Sequence, residues 1–86
     1  MNFNSVYPNP FNPKVTIPFS IPYEMHTRIL VYNIAGKLVD VLLDDRALRP
    51  GFHSITWDAS RFSSGVYIIQ VETPFRRYSQ KAFLLK

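Results

Sequence analysis

Apolar and polar residues alternate along most of this 86-residue chain, in short runs that leave no window for a helical period. Val15, Ile17, Phe19 and Ile21 alternate with Thr16, Pro18 and Ser20, the pattern of a half-buried strand. Pro18 has no backbone N–H, so this strand lies at an edge or keeps one side unpaired. Residues 27–33 are rich in β-branched and aromatic side chains and predict a second strand. A turn through Ile34, Ala35 and Gly36, with Gly36 supplying a positive φ, returns residues 37–43 as its hairpin partner. Residues 44–51 read as a polar loop closed by Pro50-Gly51, with space for one helical turn at 47–49. His53, Ile55 and Trp57 share one face of a fourth strand at 52–58. A loop over 59–65 leads to a largely apolar fifth strand at 66–73, and a turn at 74–77 to a last strand at 78–85.

The first thirteen residues follow other rules. Pro8, Pro10 and Pro13 exclude a helix and push Tyr7, Asn9 and Asn12 towards extended geometry. The segment is expected to run as polyproline-like chain or as an edge strand, with a turn near Asn12-Pro13. Six strands, or seven if this entry segment pairs, predict an all-β antiparallel sandwich occupying residues 1–86 as one domain.

Composition sharpens that picture. Hydrophobic residues make up 47% and aromatic residues 15%, which places the chain among packed domains rather than disordered segments. With no cysteine, neither disulfides nor thiolate metal sites can stabilise the fold. Residues 1–4 lack the features of a signal peptide, and no apolar run reaches the roughly 18 to 20 residues of a membrane-spanning helix. Direct membrane insertion is therefore not expected. The preferred reading is a segment of a longer exported protein, with Met1 an added start; the competing one is an intracellular protein. The net charge of +4 arises entirely beyond residue 72, from Arg76, Arg77, Lys81 and Lys86 with no acid among them. This surplus either guards an edge strand against aggregation or forms a recognition strip for an anionic or protein partner. Nucleic acid is disfavoured, because four charges are few and their aromatic neighbours read as core.

The inventory of reactive groups does not make an enzyme. A nucleophile–base pair needs His26 or His53 beside a serine and an orienting acid. His26 reads as a turn residue and His53 as a hydrogen-bonded structural histidine facing Ile55 and Trp57. Two such histidines without cysteine do not suggest zinc, and Asp44-Asp45 lacks the ligand spacing of a calcium loop. Asp40, Asp58 and Glu24 form no carboxylate pair by position. No cofactor, metal or catalytic residue is assigned.

Five stretches in order carry a resemblance. They are Tyr7-Pro8-Asn9-Pro10-Phe11-Asn12-Pro13, Val31 to Val39, Gly51 to Asp58, Ser64-Gly65-Val66-Tyr67, and the basic end. From about Val6 to Lys86 the chain resembles the C-terminal sorting domain of the type IX (Por) secretion system, type A. The resemblance implies an immunoglobulin-like β-sandwich at the end of large exported bacterial proteins. It implies passage through the periplasm, recognition by an outer-membrane translocon, removal by a sortase-like protease, and a cargo released or held at the cell surface. It also implies that the domain itself catalyses nothing.

Carried over residue by residue, the resemblance marks Pro8, Asn9 and Pro10 as its N-terminal motif and Gly36 as its hairpin glycine. Gly65 and Tyr67 match its glycine-x-tyrosine, and Lys81 and Lys86 its basic tail. Each has a structural reading beside the recognition reading: an edge-capping entry segment, two turn glycines required by the backbone, and a core or corner tyrosine. Ala59 stands where many members have glycine, and the tail carries a single lysine at 81 where some have two adjacent basic residues. Two alternatives remain. A carbohydrate-binding accessory module would need Trp57 and Tyr67 exposed; an assembly module like the immunoglobulin-like part of flagellar hook-capping proteins would share the fold.

Overall fold

A computed structural model describes residues Met1–Lys86 and contains seven strands and no helix. Antiparallel pairing arranges β1 (Asn2–Phe3), β2 (Lys14–Ile21) and β5 (Gly51–Asp58) in one sheet, in the order β1-β2-β5. The second sheet runs β4 (Leu38–Leu48), β3 (Met25–Asn33), β6 (Gly65–Glu72) and β7 (Arg77–Leu84). Three strands face four in an immunoglobulin-like sandwich, and the alternation along each strand decides what lies between the sheets. Val15, Ile17, Phe19 and Ile21 from β2 meet Ile29 and Val31 from β3, Ile69 and Val71 from β6, and Ala82 and Leu84 from β7. Trp57 from β5 is 1% exposed and sits among the rings of Phe11, Phe62 and Tyr67, with centroids 5.4 to 5.7 Å away. Burying an aromatic of this size contributes about 4 to 6 kcal/mol of transfer free energy. No buried side-chain polar atom lacks a hydrogen-bond partner.

Pro18 behaves as its chemistry requires. β2 pairs with β5 along its whole length, and Pro18 stands opposite Ser54. The N–H and carbonyl of Thr16 bond to Tyr7, and Asn4 donates to the Pro18 carbonyl at 3.1 Å. The missing donor therefore faces the sparsely paired N-terminal side, where no regular ladder needs it.

The hairpin between β3 and β4 is built by Asn33. Its side-chain oxygen accepts from the N–H groups of Ala35 and Lys37, and Gly36 takes a φ of 82°. A three-residue loop of this kind needs a left-handed residue in the last position, and glycine enters that region without strain.

Residues 44–48 depart from the sequence reading. They continue β4 to Leu48, and no helical turn forms at 47–49. Register shifts between Met25 and Thr27, Ile29 and Leu30, and Val31 and Tyr32 interrupt the β3–β4 ladder. Each bulge inserts a residue and breaks the period of two, so a continuous strand does not alternate cleanly and reads as a loop. His26 is corrected with it: it lies within β3, and its Nε2 donates to Asp44 of β4 at 2.6 Å.

The entry segment closes the sandwich. Beyond β1 it pairs with β2 through Tyr7 and with β7 through Phe11, and so bridges the two sheets. Val6 and Phe11 are buried in the core. The prolines remove donors at positions 8, 10 and 13, while the N–H groups of Val6, Tyr7 and Phe11 are all bonded.

Candidate functional site

The basic C-terminal strand is held by the entry segment through backbone as much as through packing. The Asn9 carboxamide donates to the Lys81 carbonyl at 3.0 Å and accepts from the Phe83 N–H at 2.9 Å. Phe11 donates to the Phe83 carbonyl, and its own carbonyl accepts from Leu85. Gln80, pointing to the sandwich interior side, donates to the carbonyls of Phe3 and Asn4 and accepts from the Val6 N–H. The outward edge of β7 from Lys81 to Leu85 is therefore already occupied by the chain's own N-terminus. An incoming strand cannot pair there without displacing Asn9 and Phe11.

Pro8 and Pro10 flank this clamp and are exposed, so Asn9 is brought directly to Lys81 while its proline neighbours face solvent. Lys86 folds back: its Nζ donates to the Ser60 carbonyl at 2.5 Å, and its N–H donates to the Ser64 hydroxyl. Lys81 instead projects from the outer face of the four-stranded sheet and makes no side-chain hydrogen bond or ion pair. The two tail lysines thus have different surroundings.

Tyr67 is buried, and its hydroxyl donates to the Ser63 carbonyl at 2.7 Å, tying the 59–64 loop to β6. Trp57 is also buried, and its indole N–H donates to Asp40 at 3.0 Å. Neither ring offers a platform for a sugar, which removes the carbohydrate reading built on them. Gly36 sits in the β3–β4 turn, and β3 and β6 separate β4 from the strand that carries Lys81. Gly65 corrects an expectation: its φ is not positive, and a Cβ built there would meet nothing within 4 Å. Neither backbone nor packing requires a glycine at that position. It lines a shallow open cleft of about 520 Å³ with Ile34, Val39, Phe62, Val66 and Tyr67.

Register lays out the outer face of the four-stranded sheet in rows. One row reads Leu38, Tyr32, Ile68, Lys81; beside it Val41, Leu30, Gln70 and Ser79 form a second, and Val66 stands opposite Phe83. Leu30 is 3% exposed although it does not belong to the core between the sheets. A charged row closes the other end: Asp44, Arg28, Glu72 and Arg77. The Arg28 guanidinium donates twice to Glu72. That bond holds the Glu72 carboxyl below the usual carboxylate range and raises Arg28. The hydrogen bond from His26 likewise lowers Asp44, and those from Ser60 lower Asp58.

The apolar half of this face was not singled out by sequence reasoning. Its signal lay in the run Val66-Tyr67-Ile68-Ile69, where apolar residues occupy both faces of β6 rather than one. The grouping of His26, Asp44, Arg28 and Glu72 contains only exposed or half-buried ion pairs, and His53 is fixed by stacking on Phe19 and by donating to the Arg49 carbonyl.

The family model for the secretion system C-terminal sorting domain matches residues 5–84. No curated protein and no solved structure matches the chain. The matched range includes Asn9, Phe11, strands β2 to β7 and Lys81, leaves out β1, and stops two residues short of Lys86.

Proposed function

The chain belongs to the secretion system C-terminal sorting domain family, a family of type IX sorting signals that are in general non-catalytic, and from that premise we propose how it works. Residues 1–86 act as one sorting module that carries a larger cargo protein from the periplasm across the outer membrane to the cell surface or the medium. Its partners are an outer-membrane translocon and a sortase-like protease of the type IX machinery. The domain performs no chemistry; it presents a rigid, basic surface. Pro8, Asn9 and Pro10 serve by clamping the tail, Gly36 and Tyr67 by shaping the end of the sandwich, and Lys81 by meeting the partner.

The observation that best supports this reading is the state of Lys81. It is the one lysine of the tail whose ammonium is left free, on a strand whose backbone is locked on both edges by β6 and by the entry segment. A partner can therefore engage this ammonium without first breaking an intramolecular bond, on a strand whose backbone does not have to order, which favours recognition.

The test is a reporter carrying residues 1–86 at its C-terminus, expressed with a periplasmic leader in a host that has the machinery. Removing residues 81–86 is a poor variant, because it also deletes the buried Ala82 and Leu84 and the partners of Asn9 and Phe11. Lys81→Ala and Lys86→Ala are better, since both side chains are exposed. The intact fusion is expected outside the cell, and the Lys81→Ala fusion is expected to accumulate in the periplasm with an unchanged melting temperature. Periplasmic retention of the intact fusion would refute the sorting role.

A further inference from the structure

The sorting reading leaves open which surface the machinery touches. Edge pairing is the common way for a β domain to be recognised, and here the basic strand's edge from Lys81 to Leu85 is already bonded to Asn9 and Phe11. What β7 still offers is its outward side chains. These do not stand alone: Lys81 ends a cross-strand row of Leu38, Tyr32 and Ile68, and Phe83 lies beside it opposite Val66. Leu38, Val41 and Phe83 are each more than 40% exposed. The opposite sheet differs, since its outer face carries mostly polar residues, Lys14, Thr16, Ser20, Ser54 and Thr56, with Phe52 and Tyr7, which bridges Thr16, as its large exposed rings.

Resting on the sorting reading, we propose that the outer face of the β4-β3-β6-β7 sheet around Lys81 is the docking surface, and that its occupant is a secretion-machine protein presenting a carboxylate within an apolar surface. Charge complementarity selects the carboxylate. Lys81 has no acidic partner, and the acids on this face, Asp44 and Glu72, are already bonded to His26 and Arg28 at its far end. An apolar partner surface alone would strip water from the Lys81 ammonium without replacing its hydrogen bonds. A carboxylate ringed by apolar contacts replaces them, and the surrounding Leu38, Tyr32, Ile68 and Phe83 exclude water from the pair. A second copy docking through the same face is a poor occupant, because that face would bring another unpaired lysine and only acids already bonded to His26 and Arg28. The open cleft beneath Ile34 and Val66 lies at the same end of the sheet and extends the contact.

The experiment uses the reporter fusion with changes on β4, the strand farthest from the tail. Leu38→Thr and Val41→Thr together keep strand propensity while removing apolar contact, and export is expected to fall about tenfold. Phe52→Thr, on the other sheet, is expected to leave export unchanged. Lys81→Glu is expected to abolish export, and Lys81→Arg to retain most of it. Melting temperatures of the isolated domains identify a folding defect, and if the β4 pair has one, Lys81→Glu against Phe52→Thr decides alone. Wild-type export from the folded β4 variant, or an equal loss with Phe52→Thr, overturns the proposal. So does a dimer by light scattering that the β4 changes disrupt, because the face would then serve self-association. Failure of the unsubstituted fusion to leave the periplasm is a different result, which removes the sorting reading itself.

Discussion

Gly36 and Gly65 stand in similar Gly-containing turns of the sequence, yet only one is demanded by the backbone. At Gly36 the φ of 82° makes any Cβ unfavourable, and Gly36→Ala is expected to cost about 1 kcal/mol or more in urea denaturation. Gly65 has ordinary φ and open space around it, so Gly65→Ala is expected to change stability by less than about 0.5 kcal/mol. Equal losses at the two sites would contradict this geometry. Asn9 holds the basic strand by both ends of its carboxamide. A Pro-Asn-Pro run announces extended chain, but the amide's grip on Lys81 and Phe83 spans more than seventy residues and has no local signature. Asn9→Ala removes two exposed hydrogen bonds and is expected to lower stability by about 1 to 2 kcal/mol. If recognition reads the asparagine itself, export of this variant falls far below that of an equally destabilised control.

Among the elements, β3 and β4 show where periodicity fails. Register slips three times between them, so the inward face of β4 passes from Leu43 to Asp45 to Leu48 without a regular period of two. The hairpin turn was legible because Asn33 and Gly36 encode it locally; the length of β4 was not, because bulges are set by the partner strand. β3 and β6 are joined across the outer face by Arg28 and Glu72, which stand directly opposite each other. Glu72 is depressed in the folded state by its bond to Arg28. Its stabilising contribution is therefore complete above the ordinary glutamate range and is lost as pH falls through the folded value. Glu72→Gln is expected to be less stable than the parent near pH 7, with the difference shrinking to nothing on acidification. A gap that stays constant with pH would mean that the ion pair is not its source. Asp44, lowered by His26, gives the same sign, so an acid-sensitive limb persists in the variant.

For the whole molecule, the entry segment is as much a part of the core as the strands are. Phe11 is 2% exposed and packs on Trp57. Phe11→Ala and Trp57→Ala are each expected to cost about 3 to 5 kcal/mol, measured by equilibrium unfolding. A loss below about 1 kcal/mol at Phe11 would show that residues 1–13 are an appendage. By itself the amino-acid order settled the class of fold, the inward residues of β2 and β5, the hairpin at Gly36 and the concentration of charge at the end. These follow from period-two burial and turn chemistry, which act between near neighbours. Only the folded chain decided that the proline segment seals β7, that Lys86 folds back onto the Ser60 carbonyl while Lys81 stays free, and that Lys81 shares a row with Leu38, Tyr32 and Ile68. Such relations depend on strand order and register, which are fixed by packing two sheets together and are written in no single stretch of the chain.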